Sequence, residues 1–403
     1  MIKKGYVVNI YLILFMLVLL LFSKSEALTN YGVVIPFIQF NPVLLLLIII
    51  LIGFFSIFLR FRNVLHADLL SIMLLLRVIV SIFPLIHIDK IPSSYIGNFC
   101  VLCFPFLMYL FFLNSEIDIE RVSSLFIGFG LIIAVQCIFA YFTIVGKGLA
   151  NYSDPFYKGY FVIPIGATNE ISAFILPLLI FGDLVLEKKW LKISYVSILS
   201  IAIFLCKSRT GILFVLLYFG IKFLKKRRGH TKRIKWLIIF LAPIGLVGLL
   251  LFAPQTDLWI IKVQDFFMGF ASSANNLDSL LSGRFTVFKN VLLEVMQHPI
   301  IGNGVSYEIL NNMRAHNVVL CILYENGIIG LFIFAFFLVL AGRRIWSNRY
   351  KKKEFYAFSV AVIFIIANSM IEEIFFSFPI ELFGLSFVAA MREQKMIGGN
   401  KNV

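Results

Sequence analysis

The chain alternates long apolar runs with short polar breaks, and the runs have the length of membrane-crossing helices. A helix of about twenty apolar residues crosses a bilayer. Runs of this kind recur at about 6–22, 33–58, 65–86, 96–113, 122–146, 163–186, 192–207, 209–224, 235–253, 317–341, 355–371 and 374–391. The stretch Val43 to Phe55 is continuously apolar rather than alternating. That excludes a transmembrane barrel, whose strands alternate over about ten residues. The pattern predicts an all-α, polytopic membrane protein of about twelve transmembrane helices, one membrane domain over 1–403. Three places strain it. The seventh and eighth runs nearly touch at Lys207-Ser208-Arg209, and the third contains Arg77. Only a few residues around Glu372 and Glu373 part the last two, which reads as a short exposed turn. Met-Ile-Lys-Lys before the first run resembles the start of a signal peptide. No small-residue cleavage site follows, so an uncleaved first helix is expected.

Composition agrees. Hydrophobic residues make up 61% and charged residues 14%, against about a quarter charged in soluble domains. The net charge of +15 would suggest nucleic acid in a soluble chain, but its placement gives another reason. If the spans alternate in direction, Lys3, Lys4, Arg60, Arg62, Arg121, Lys188, Lys189 and Lys192 fall on one side. The run 222–235 (KFLKKRRGHTKRIK), Arg343, Arg344, Arg349 and Lys351 to Lys353 join them. Cytoplasmic loops carry this excess. Both termini are therefore expected inside a cytoplasmic membrane, with 222–235 anchored at anionic headgroups and no nucleic-acid partner.

One long loop, about 254–316, then faces outward, and long ordered connections tend to carry function. Within it, SGRFTVFKNVLLEVM at 282–296 predicts an amphipathic helix, with Phe285, Phe288, Leu292 and Val295 on one face. It would lie on the outer leaflet or over a cavity and end before Pro299 and Ile-Gly-Asn-Gly. Of the five cysteines, Cys100 and Cys103 have CxxC spacing inside a span. All five read as isolated buried thiols.

Few residues carry chemistry. Arg77 is a charge within a span, and such a group needs a polar cavity, an anion or a counter-charge. Lys207 and Arg209 place positive charge at an outer helix end, against the general trend. A guanidinium fork there suits phosphate oxygens, and interfacial snorkelling is the alternative. Arg284 opens the loop helix. His316, followed by Asn317, starts the tenth run and can exchange a proton near neutral pH. Glu325 lies further along that run, available to Arg77 or another cation. Asn169 and Glu170 follow Pro164 and Gly166 at a broken or cavity-facing helix start. No Walker, dinucleotide, HExxH or nucleophile-elbow motif is present, so no cofactor and no metal are expected.

The ordered set of motifs is more specific than any member. The chain reads CKSRTGILFVL at 206–216. From 281 to 336 it reads LSGRFTVFKNVLLEVMQHPIIGNGVSYEILNNMRAHNVVLCILYENGIIGLFIFAF. A Ser-Arg after a central span, a Gly-Arg opening a loop helix, His-Pro-x-x-Gly-x-Gly, His-Asn and Glu-x-Gly-x-x-Gly follow in that order. This resembles the O-antigen ligase and Wzy-type polymerase superfamily of bacterial surface-polysaccharide enzymes, over about 160–340.

The resemblance implies a GT-C-like glycosyltransferase that is metal-independent and inverting. Its donor is a glycan on undecaprenyl diphosphate and its site faces outward. Arg209 and Arg284 match the family arginines that would hold the diphosphate, and His316 the histidine that would activate or position the acceptor hydroxyl or contact the diphosphate. Arg77, Lys207, Glu325, Asn317 and Asn169 are further candidates for substrate contact. A chain-length regulator and a flippase are the implied protein partners, beside membrane lipids. Met313-Arg314-Ala315-His316-Asn317 lacks the second histidine frequent in lipopolysaccharide ligases. The leading expectation is therefore a polysaccharide polymerase, with ligase-type transfer to lipid A-core or another acceptor as the alternative. A flippase comes third, because such transporters show repeat symmetry.

Overall fold

The computed structural model describes residues 4–23, 38–39, 42–61, 66–84, 93–146, 162–225, 284–304, 315–372 and 374–392. Within them run α1 (Lys4–Leu21), α2 (Pro42–Phe61), α3 (Leu69–Val80), α4 (Ser93–Leu113), α5 (Ile119–Gly146) and α6 (Thr168–Val185). Next come α7 (Lys189–Leu205), α8 (Arg209–Lys225), α9 (Arg284–Val295), α10 (Val318–Asn348), α11 (Lys353–Ser369) and α12 (Phe378–Ala390). Two short ladders accompany them: β1 (Phe22–Ser23) pairs parallel with β2 (Ile38–Gln39), and β3 (Val162–Ile163) antiparallel with β4 (Gly166–Ala167). Each predicted run overlaps a helix except 235–253, which lies outside the described residues, as does most of the predicted loop 254–316. Among the described residues, α5, α6 and α10 are long and apolar enough to cross a membrane, and six more helices carry shorter apolar stretches. The fold is all-α and polytopic.

Helices in lipid associate through close packing rather than water exclusion. Gly182 of α6 shows this, since a Cβ there would sit 2.2 Å from the Tyr195 ring of α7. At the bundle centre, Phe126 of α5, Phe181 of α6, Phe358 of α11, and Phe383 and Phe387 of α12 pack ring to ring. Most of these pairs are edge-to-face, with centroids 4.8–6.1 Å apart.

Polar contacts sort the helix ends into two sets. At the first end, Asp68 caps α3 by accepting from the Ser71 N–H at 3.0 Å. Its other oxygen takes the Tyr109 hydroxyl of α4 at 2.8 Å and Arg344 Nη2 of α10 at 2.7 Å. Lys353 pairs with Glu187, Lys222 with Asp183, and Arg392 donates to the Leu113 carbonyl at this same end. Arg121, Lys188, Lys189 and Arg349 flank the same helix ends, so this is the basic end. At the opposite end α3 finishes against α10, where Asn326 Nδ2 donates to Ser81 Oγ at 2.8 Å. Gln136 Nε2 of α5 reaches the Leu20 carbonyl at the finish of α1, at 3.4 Å. The start of α1 and the end of α12 thus share the basic end.

Burial alone would raise the Asp68 carboxyl, but hydrogen bonds from Ser71, Arg344 and Tyr109 outweigh it and hold the group below its usual range. A depressed carboxylate contributes stability above its unfolded value and loses it as pH falls through the folded one. Asp68→Asn should therefore cost about 1.5–3 kcal/mol, the worth of charged hydrogen bonds. A lower melting temperature in detergent at neutral pH is expected, with the gap to native closing in acid.

Candidate active site

The end opposite the basic one gathers the motif residues, and backbone geometry explains several of the motifs. Gly327 interrupts α10 with φ 61° and ψ −162°, a conformation open essentially to glycine alone. A break in a membrane helix frees carbonyls and amides that lipid cannot satisfy. The segment 298–304 satisfies them. Asn303 N–H donates to the Tyr324 carbonyl at 2.8 Å and Gly304 N–H to that of Glu325 at 2.9 Å. In return Ile328 N–H donates to Pro299 at 2.9 Å and Ile329 N–H to Ile300 at 3.3 Å. The fit is tight in both directions. A Cβ on Gly302 would lie 2.4 Å from the Glu325 carbonyl, and one on Gly327 2.3 Å from the Ile300 oxygen. His-Pro-x-x-Gly-x-Gly and Glu-x-Gly-x-x-Gly are thus two halves of one backbone knot.

Helix α9 packs on that knot. Val287, Val291 and Val295 turn toward Leu320 and Tyr324 of α10, with Val291 and Val295 buried. Leu292 and Leu293 are exposed. Both stripes have helical spacing, and the valines, being short and branched, fit the close approach to α10. Arg284 is the first residue of α9.

The α7–α8 corner is similarly compact. Lys207 takes a left-handed φ of 49°, and Ser208 Oγ accepts from Gly211 N–H at 3.3 Å, capping α8. Arg209 is thereby the first residue of α8. Gly211 places this turn against Ser172 of α6, where a Cβ would sit 1.8 Å from the hydroxyl oxygen. The two nearly contiguous runs are therefore separate helices joined by a sharp turn. The Arg209 and Arg284 side chains lie outside the described residues.

The start of α6 belongs to the same end. The β3–β4 hairpin turns at Pro164 and Ile165, with Gly166 after the turn at φ 146°, and Glu170 accepts the Ala167 N–H at 2.9 Å. Glu170 is a capping group. Asn169 faces the bundle, and Nδ2 donates to Glu372 Oε1 at 3.1 Å. The second oxygen of Glu372 lies 3.3 Å from His316 Nδ1. His316 is left-handed, φ 48°, because Asn317 behind it caps α10, accepting from Val319 and Leu320 N–H at 2.9 and 3.1 Å. Asn317 Nδ2 also donates to the Met370 carbonyl at 2.9 Å. The connection between α11 and α12 is thus the hub of the site. Glu372 is buried, not a residue of an exposed turn. The available sequence signal was a pair of carboxylates, Glu372 and Glu373, between Ile371 and Ile374 in an otherwise apolar reversal.

Arg77 is also differently placed than expected. Helix α3 is shorter than its predicted run, and Arg77 sits in its last turn, where the helix dipole favours a cation. Its guanidinium lies 3.6 Å from the Phe376 ring centroid, on the α11–α12 connection. Arg77 and Glu381 of α12 both line a cavity of about 110 Å³ with apolar walls from α3, α4, α10, α11 and α12. Glu325 is buried beside the knot and does not line that cavity. Glu381, a buried acid in the last span, went unmarked in the sequence. The structure brings together His316, Asn317, Asn169 and Glu372, with Arg77 across the hub. Among the described residues, no three His, Cys, Asp or Glu are grouped to hold a metal.

The histidine–carboxylate pair His316–Glu372 and the helix starts that carry Arg209 and Arg284 thus lie at one end of the helical bundle. Residues 194–335 match the family described as O-antigen ligase, the segment from α7 through the knot. That match covers part of the chain and supports the resemblance to the O-antigen ligase and Wzy-type superfamily. No curated protein matches the chain.

Proposed function

We propose that the chain transfers a glycan from undecaprenyl diphosphate to a surface acceptor, in the manner of an O-antigen ligase. The observation that carries this reading is that the family-matched segment supplies His316, Arg209 and Arg284 to the end opposite the basic one. The positive-inside rule assigns the basic end to the cytoplasm and the transfer site to the outer face.

The acceptor hydroxyl attacks the anomeric carbon from the side opposite the diphosphate, so configuration inverts. The bond from that carbon to the diphosphate oxygen breaks, and its electron pair leaves with undecaprenyl diphosphate. His316 takes the hydroxyl proton. Arg209 and Arg284 hold the charge growing on the leaving group, work that requires fixed cations rather than a metal. Removing one such donor typically costs about 10²–10³ in rate. Arg209→Ala and Arg284→Ala should each fall in that range in initial-rate assays, with Lys restoring part. Unchanged rates would remove that arginine from the site.

The family description moves the lead from polymerase to ligase-type transfer. The polymerase remains the second reading, favoured by the single histidine in Met313-Arg314-Ala315-His316-Asn317. A deletion strain separates them. Loss of a ligase leaves long chains on undecaprenyl diphosphate, whereas loss of a polymerase leaves single repeats on the final acceptor.

A further inference from the structure

We infer that Glu372 is a positioning residue for His316, fixing which ring nitrogen serves the acceptor; the inference rests on the transferase reading above. A carboxylate only accepts hydrogen bonds. With Oε2 at 3.3 Å from Nδ1, the neutral imidazole carries its proton on Nδ1 and leaves the Nε2 lone pair to face outward. Which nitrogen is protonated follows from the bond the other one makes. Once Nε2 has taken the acceptor proton, the adjacent carboxylate stabilises the resulting imidazolium.

Glu372 is itself held. Its backbone N–H donates to the Asn368 carbonyl at 2.8 Å, which keeps it in the last turn around the end of α11. Asn169 Nδ2 occupies Oε1, so the carboxylate cannot swing away from the ring without losing a bond to α6. Asn317 fastens the backbone next to His316 to the Met370 carbonyl, two residues before Glu372. Three helices, α6, α10 and α11, thus set one imidazole. The ring remains open on its other side, since the His316 side chain is 37% exposed while that of Glu372 is 10% exposed.

A purely structural Glu372 would tie these helices together and do no more, and Glu372→Gln separates the two roles. The amide keeps the shape and can still accept from Asn169, but it removes the charge that fixes and stabilises the ring. Partners that orient a metal-bound histidine contribute about 10–100-fold, and the same scale is expected for this histidine–carboxylate pair. Glu372→Gln should lower kcat by that factor, with donor KM within about twofold, and Glu372→Asp should recover part of the loss. Independently of activity, nitrogen-15 histidine spectra of the full chain in lipid, assigned by His316→Gln, should show the Nδ1–H form. Glu372→Gln should convert it to a mixture. A native Nε2–H tautomer, or Glu372→Gln with native kcat and native spectrum, would overturn the inference. If the native chain transferred no glycan yet gave the Nδ1–H spectrum, the transferase reading would fail and the positioning would stand.

Discussion

Replacing His316 with alanine should lower glycan transfer by about 10²–10⁴-fold, the usual contribution of a positioned acid–base group, while the chain still inserts. The side chain is 37% exposed, so truncation opens no core cavity. Its left-handed φ of 48° makes alanine slightly strained, at about 1–2 kcal/mol. His316→Asn is the matching control, because asparagine tolerates that conformation but is no base at neutral pH. Both variants should reach the membrane at native levels, and both should fail to restore glycan attachment in a null strain. Long chains attached normally in the alanine strain would end the catalytic role for His316.

Gly327→Ala should be the most damaging single change to the fold. A side chain at φ 61°, ψ −162° costs about 1–3 kcal/mol in backbone strain. The new Cβ would also lie 2.3 Å from the Ile300 oxygen, and overpacking adds about 1–3 kcal/mol more. Relief means parting the two strands of the knot, which unpairs the carbonyls of Tyr324 and Glu325 at membrane depth. The variant should give little monodisperse protein in detergent and a clearly lowered melting temperature. Gly342, where a Cβ would meet nothing within 4 Å, is the control, and Gly342→Ala should behave as native. Equal stability of Gly327→Ala and native chain would show that the knot is not under the stated constraint.

These two residues also show what the sequence could and could not reveal. Helices were legible because apolar runs of membrane length leave little alternative, and the lysines and arginines marked the helix ends that the structure gathers on one side. The motif order pointed to Arg209, Arg284 and His316. It did not reveal that the glycine motifs serve each other, because hydrogen bonds between residues 299–304 and 324–329 leave no periodic trace. Glu372 was read as part of an exposed turn, and its burial escaped the sequence for a related reason. Its partners lie 203 and 56 positions away (372 − 169 and 372 − 316), and only packing of α6, α10 and α11 brings them together. Arg77 was recognised as a costly charge, but the shorter extent of α3 moves it to a helix end. The loop helix was legible in its spacing, but not that Val287, Val291 and Val295 are the residues that meet α10.

The most direct test is reconstitution of the full chain in lipid vesicles with undecaprenyl-diphosphate-linked glycan and, separately, lipid A-core or a second lipid-linked glycan as acceptor. The expected result is one new glycosidic bond of inverted configuration for each undecaprenyl diphosphate released. The reaction should persist in EDTA and be lost in His316→Ala. Donor that remains intact with both acceptors, or crosses the bilayer without being cleaved, would contradict the assignment.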